Sequence, residues 1–219
     1  MALPAAPVAT GNTFDKYGSA NPLVRRMMAG FFAAIDACLP TAAPAAVLEV
    51  GLGEGEVTAR LRHRWPDARV VGIDLPDEDL AASWRELGLI GAYADITRLP
   101  FPDHSFDLVL AIEVLEHVPD PAAALAELSR VARGDLVLSV PREPLWRVAN
   151  MARGKYLGAL GNTPGHIQHW SSRSFADLVR SRFTVRSVLR PLPWTMVAAS
   201  VAGSGPRAAA AEPPASPPG

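Results

Sequence analysis

The chain predicts an α/β fold: a doubly wound, mostly parallel sheet closed by an antiparallel hairpin at its C-terminal end. Three observations lead there. Val47-Leu48-Glu49-Val50 is a short apolar run broken by one acid, and it passes straight through Gly51, Gly53 and Gly55 into a helical stretch from Val57 to Arg64. Val70-Val71-Gly72-Ile73-Asp74 is a second buried strand that ends in an acid. Strands and helices then alternate as far as Val140, as in parallel βαβ units, before Phe183–Leu189 and Trp194–Val201 read as the hairpin.

Size and composition suit one domain with a sizeable core. The chain has 219 residues, 49% of them hydrophobic and 20% charged, and a formal net charge of −1. That charge gives no overall pull toward nucleic acid or a membrane. Between Pro141 and Arg190, however, nine Arg or Lys face only two acids, Glu143 and Asp177. This reads as a solvated basic face, or as one that helps hold an anionic or membrane-borne substrate. Cys38 is the only cysteine, so no intramolecular disulfide can form. The N-terminus lacks the basic start and apolar core of a signal peptide, and no apolar run approaches the ~20 residues of a spanning helix. The expectation is a cytoplasmic protein with no transmembrane segment.

The elements follow in order. Residues 1–10 are Ala/Pro-rich and read as loose. Asn21 caps a helix over Leu23–Leu39, with Pro22 at its first position and Val24, Met27, Met28, Phe31, Ile35 and Leu39 on one face. Residues 14–40 thus form a helical cover. After the first two strands come a helix over Glu78–Gly88, a segment Ala92–Asp95 and a strand over Asp107–Ile112. Asp120 caps a helix from Pro121 to Arg133, Gly134 stops it, and Asp135–Val140 is the next strand. Residues 141–172 are an insertion at the ligand edge of the sheet and read as a lid. A helix over Ser174–Ser181 precedes the hairpin. The single domain spans residues 1–202, and 203–219 is a disordered Ala/Pro-rich tail.

A strand entering a helix through glycines brings backbone N–H groups and a helix N-terminus to a ligand, and an acid closing the neighbouring strand can accept from both ribose hydroxyls. A dinucleotide site wants G-x-G-x-x-G, whereas the spacing here is G-x-G-x-G, with Glu49 two residues ahead of Gly51. The loop resembles motif I of the class I S-adenosylmethionine-dependent methyltransferases. Asp95-Ile96 and the segment after the 107–112 strand are similar to later motifs of that group. The resemblance covers about Val47 to Val140 and implies a Rossmann-like, seven-stranded sheet with S-adenosyl-L-methionine as cofactor and S-adenosyl-L-homocysteine as product. By the same resemblance Glu49 lies near the methionine end, beside Gly51, Gly53 and Ile112. Asp74 binds the ribose, Leu75 packs on the adenine, and Asp95 and the Ile96 N–H read the adenine edge.

Methyl transfer is a direct displacement, so holding donor and acceptor in line accounts for most of the catalysis, and a base is needed only for some acceptors. Glu113-x-x-Glu116-His117 leaves the carboxyl end of the 107–112 strand, where ligands bind in open α/β sheets. His117 is the candidate base or substrate contact, with His166 and His169 in the lid behind it. Tyr17, Glu113, Trp146 and Trp170 are candidate acceptor contacts. The leading reading has a small-molecule acceptor methylated on oxygen or nitrogen, no nucleic acid partner and no metal. One alternative is a divalent-metal-dependent O-methyltransferase with Glu113, Glu116 and His117 as ligands. That set resembles the ubiquinone-biosynthesis O-methyltransferases, which carry Glu-x-x-Glu-His at this position, and the small-RNA 2′-O-methyltransferases. Another is a non-catalytic, cofactor-binding partner subunit.

Overall fold

The computed structural model describes residues 21–201; Tyr17 and the 203–219 tail lie outside them. The elements are α1 (Pro22–Cys38), β1 (Ala46–Val50), α2 (Glu56–Arg64), β2 (Arg69–Asp74), α3 (Glu78–Glu86), β3 (Gly91–Tyr93), β4 (Phe106–Ile112), α4 (Pro121–Val131), β5 (Ala132–Pro141), α5 (Leu145–Ala152), α6 (Ser172–Arg180), β6 (Phe183–Leu189) and β7 (Trp194–Val201). Seven strands form one sheet in the order β3-β2-β1-β4-β5-β7-β6. Every pairing from β3 to β5 is parallel, and β7 runs antiparallel between β5 and β6. The sequence reading of a doubly wound sheet closed by an antiparallel hairpin holds.

Alternation along the strands divides the core in two. Leu48 and Val50 of β1 point into a cluster with Leu125 and Leu128 of α4 and Phe175 and Val179 of α6. Val47 points the other way, into a cluster with Phe31 and Ile35 of α1 and Val57 and Leu61 of α2. Successive strand side chains face opposite sides, and each side needs its own helical layer, which is the physical content of double winding. Glu49 shares the second face, so its carboxylate enters the α2 layer, not solvent.

Helix ends follow their caps. The Asn21 side chain accepts from Leu23 N with Pro22 at the first position, and Asp120 accepts from Ala122 N and Ala123 N at the start of α4. The α4–β5 boundary differs from the sequence reading. Gly134 does not stop the helix but sits inside β5, which starts at Ala132. The reason is a close approach: a Cβ at Gly134 would lie 2.4 Å from the Asp107 carbonyl oxygen. Arg133 beside it donates from Nε and Nη2 to the Asp107 carboxylate at 2.7 and 2.8 Å. Among the described residues, no helix is long and apolar enough to cross a membrane.

Candidate active site

The carboxyl ends of β1, β2 and β4 converge on the glycine loop. Gly51, Gly53 and Gly55 all have positive φ, +79°, +50° and +89°, a region that L side chains rarely adopt. The Gly51 N–H donates to the Ile73 carbonyl at 2.8 Å, tying the loop to the end of β2. Asp74 completes the tie: its Oδ2 accepts from Gly53 N and its Oδ1 from Leu75 N, both at 2.7 Å. Each carboxylate oxygen retains a second lone-pair direction for a hydroxyl. Trp84, on α3, donates from Nε1 to the Gly53 carbonyl at 2.7 Å. Sequence reasoning missed Trp84; a lone tryptophan on the helix after the acid-ended strand is its only signal. A Cβ at Gly53 would meet nothing within 4 Å, so the loop presents open main chain to the cleft.

Glu49 is 2% exposed, and the Thr58 hydroxyl of α2 donates to its Oε2. Burial is the main cause that pushes its carboxyl up to about 8, the Thr58 bond pulls it back, and the nearby Asp74 carboxylate adds to the rise. Asp74 is also raised, mainly by burial, against the bonds from Gly53 and Leu75.

Beyond β3, Asp95 Oδ1 accepts from Thr97 N and Thr97 Oγ1, both at 2.8 Å, which shapes the turn there. Ile96 is buried in the first cluster and Leu75 is half-buried beside Asp74. Ile112 closes β4 at 8% exposure.

The Glu113–His117 segment lies directly on the glycine loop. A Cβ at Gly51 would stand 2.2 Å from Val114 Cγ2, so the segment reaches the loop only because residue 51 has no side chain. Glu113 has φ +59° and turns back to the sheet, where its Oε1 accepts from Ser139 Oγ at 2.9 Å. A short 3-10 turn, Leu115–His117, follows.

The 141–172 segment, read from the sequence as a lid, packs against that turn. Ile167 N and Gln168 N donate to the Glu116 carbonyl at 2.9 and 3.0 Å. Gln168 Nε2 reaches the carbonyls of Val118 and Pro119, both at 3.3 Å. His117 Nδ1 lies 2.9 Å from the Gly165 carbonyl, which can only accept. The Nδ1 therefore carries a proton, and in the neutral ring the lone pair is on Nε2. His166, 8% exposed, meets His117 edge-to-face at 4.9 Å and stacks on Trp146 at 6.0 Å. Trp146 donates from Nε1 to Thr163 Oγ1 at 2.9 Å and packs on Trp194, so it is a pillar of the lid. Trp170 lies elsewhere, against Phe175 at 5.6 Å. His169 is exposed, and its Nε2 pairs with Asn162 Oδ1 at 2.8 Å, while Asn162 Nδ2 donates to the His166 carbonyl at 3.2 Å. Asn162, which the sequence did not single out, links the two lid histidines.

Glu116, His117 and His166 each offer a ligand atom, and these atoms lie within 4.8 Å of one another. Glu113, read as a ligand from its spacing, is not in that group. Its left-handed backbone sends the carboxylate to Ser139, and a lid histidine takes its place.

Comparison with known proteins agrees with this geometry. Residues 48–138 match the family described as "Methyltransferase domain". The chain is 39% identical over 156 residues to the ubiquinone biosynthesis O-methyltransferase of Hahella chejuensis, covering 62% of this chain and 64% of that one. It is 36% identical over 121 residues to the trans-aconitate 2-methyltransferase of Azoarcus sp., covering 53% and 48%. The chain thus spans about half the length of the trans-aconitate enzyme and less than two thirds of the ubiquinone one. A SAM-dependent methyltransferase from Aquifex aeolicus shares the fold with a TM-score of 0.62 at 20% identity, covering 78% of this chain and 88% of that one. The glycine loop, the acid at the end of β2, the sheet order and the domain match lead to one conclusion: this chain is similar to the class I S-adenosylmethionine-dependent methyltransferases, and residues 48–138 carry the match.

Proposed function

We propose that this protein transfers a methyl group from S-adenosylmethionine to an oxygen or nitrogen atom of a small-molecule acceptor. The residues fit the cofactor: open main chain at Gly53, a carboxylate at Asp74 with lone pairs left for a ribose, and buried Glu49 at the methionine end. Bound S-adenosylmethionine supplies a methyl group activated by its sulfonium. Asp74, Leu75, Asp95 and Ile96 would hold the nucleoside, with Glu49, Gly51 and Ile112 around the methionine. His117 is the proposed base. The observation that supports this most is its tautomer: with Nδ1 donating to Gly165, Nε2 can take the acceptor's proton. His117 is half-buried where the 141–172 segment packs against it. A small-molecule acceptor is supported by the matched relatives, which are a trans-aconitate 2-methyltransferase, a ubiquinone biosynthesis O-methyltransferase and a demethylmenaquinone methyltransferase.

The test has two stages. Calorimetry should show S-adenosylhomocysteine binding by the wild type, and absence of binding overturns the reading. Panels of phenols, carboxylic acids and amines are then screened for S-adenosylhomocysteine release. His117→Gln should lower kcat for the best acceptor by about 10²-fold or more with unchanged cofactor affinity. An unchanged kcat removes His117 as base.

A second reading is favoured by the Glu116–His117–His166 group, whose donors suit Zn²⁺ or Mn²⁺. A metal there would bind neighbouring acceptor oxygens and lower the pKa of the one methylated. Mn²⁺ binding by the cofactor-loaded wild type, lost in His166→Ala, would favour it. Full turnover in the presence of a chelator would dismiss it.

A further inference from the structure

The lid carries more apolar surface than its packing uses. On α5, Trp146 and Asn150 face inward and Val148 faces out at 51% exposure. The turn after α5 adds Leu157 at 59% and Leu160 at 66%. That turn is fixed to α5. Arg147 Nε donates to the Leu160 carbonyl at 2.9 Å, Asn150 Nδ2 donates to the Gly161 carbonyl at 2.8 Å, and a Cβ at Gly161 would lie 2.2 Å from the Arg147 carbonyl oxygen. Tyr156 and Leu160 flank the turn with φ of +56° and +49°, a conformation held against its intrinsic preference. The three apolar side chains therefore project from α5 and a turn bonded to it.

Charge says what that platform meets. From Pro144 to Ala176 there is no Asp or Glu, while Arg147, Arg153, Lys155 and Arg173 fall in the same stretch. Arg153 and Lys155, between Val148 and Leu157, are exposed. A short amphipathic helix with outward apolar residues set among cations, and with no carboxylate, has the chemistry of a segment that lies in an anionic lipid interface.

We propose that the outer face of the lid, formed by α5 and the turn carrying Leu157 and Leu160, docks on an anionic phospholipid surface. The docking stands on this surface alone. Its consequence for the substrate, that the acceptor can enter from the lipid side at the mouth of the site, rests on the methyl-transfer reading.

The experiment is co-sedimentation of the full chain with vesicles of phosphatidylcholine alone and of phosphatidylcholine with phosphatidylglycerol at 7:3. Binding to the anionic vesicles is expected, weakened by salt. Each basic residue at the surface contributes roughly fivefold, so the double variant Arg153→Glu with Lys155→Glu should lower partitioning more than about tenfold. Leu157→Asp with Leu160→Asp should do the same. Both side chains are exposed, so each variant should fold and keep S-adenosylhomocysteine affinity, measured separately by calorimetry. Failure of cofactor binding is thereby distinct from failure of docking. No binding of the wild type to anionic vesicles, or equal binding by either double variant, overturns the proposal. So does a dimer in light scattering that the Leu157→Asp, Leu160→Asp variant dissolves, since the face would then pair two copies.

Discussion

Replacing Glu49 by glutamine tests the electrostatics of the cofactor cleft most directly. Burial raises the Glu49 carboxyl from its ordinary value of 4.5 to about 8, so the protein at neutral pH holds it protonated beside Thr58. The sign follows from proton counting. Between pH 4.5 and 8 the native state binds this proton and the unfolded chain does not, so stability falls as pH rises through that window. From pH 6 to pH 9 the loss from this one group is about 2–3 kcal/mol at 1.36 kcal/mol per pH unit. A glutamine amide copies the shape of the protonated acid and cannot ionise, so Glu49→Gln should lack this part of the slope. Urea midpoints at pH 6, 7.5 and 9 for both proteins read the difference, with titrations common to both cancelling. The ammonium group at the amino-acid end of the ligand, set near Glu49, should drive the carboxyl to ionise. Calorimetry of S-adenosylhomocysteine at pH 7, in buffers of different ionisation enthalpy, should therefore show proton release by the wild type and weaker binding without release by the variant. Equal pH slopes in the two proteins would refute a buried neutral Glu49.

Two further predictions concern packing and charge. Gly51→Ala sets a Cβ 2.2 Å from Val114 Cγ2 at φ +79°, whereas Gly53→Ala meets open space at φ +50°. The first should cost about 2 kcal/mol or more and abolish S-adenosylhomocysteine binding, and the second about 1 kcal/mol; denaturant midpoints separate them, and equal costs would show that Val114 does not rest on Gly51. Asp107 is held below the usual carboxylate range, first by Arg133 and then by the N–H groups of Ala46 and Ala45. Its contribution is present above the unfolded pKa and disappears as pH falls through the lowered one, so Arg133→Gln should show a shallower loss of stability as pH falls through the ordinary value of 3.8 and below, read from thermal midpoints.

The glycine-loop half of the candidate site was legible in the sequence because its signals are local. A strand, a glycine turn, a helix start and an acid closing the next strand are consecutive features, and the backbone they require admits few alternatives. The acceptor half was legible only as a set of residue types. Glu113, Glu116 and His117 share helical spacing, but the segment opens with a left-handed residue and then a 3-10 turn, so spacing could not say which would converge. Ser139, which holds Glu113, lies 26 residues away, and the Gly165 carbonyl that sets the His117 tautomer lies 48 away. Such partners are chosen by tertiary packing and leave no pattern nearby. Gly134 failed for a related reason. Its need for a bare Cα comes from the neighbouring strand, and a glycine after a helix reads the same whether it caps that helix or lets two strands approach.

The two halves meet at Val114 on Gly51. The family match ends at residue 138, inside β5, so it includes the glycine loop, Asp74, Asp95 and His117 but none of the insertion that supplies Gly165 and His166. The insertion is nevertheless bonded to the matched part by the Glu116 carbonyl, His117 and the carbonyls of Val118 and Pro119. A displacement of the lid therefore acts on Glu116 and His117 directly, and through Val114 on the loop that faces the cofactor. The glycine loop, inside the matched residues, and the 141–172 segment, beyond them, are packed as one unit. The bare Cα of Gly51 permits the close packing that couples them.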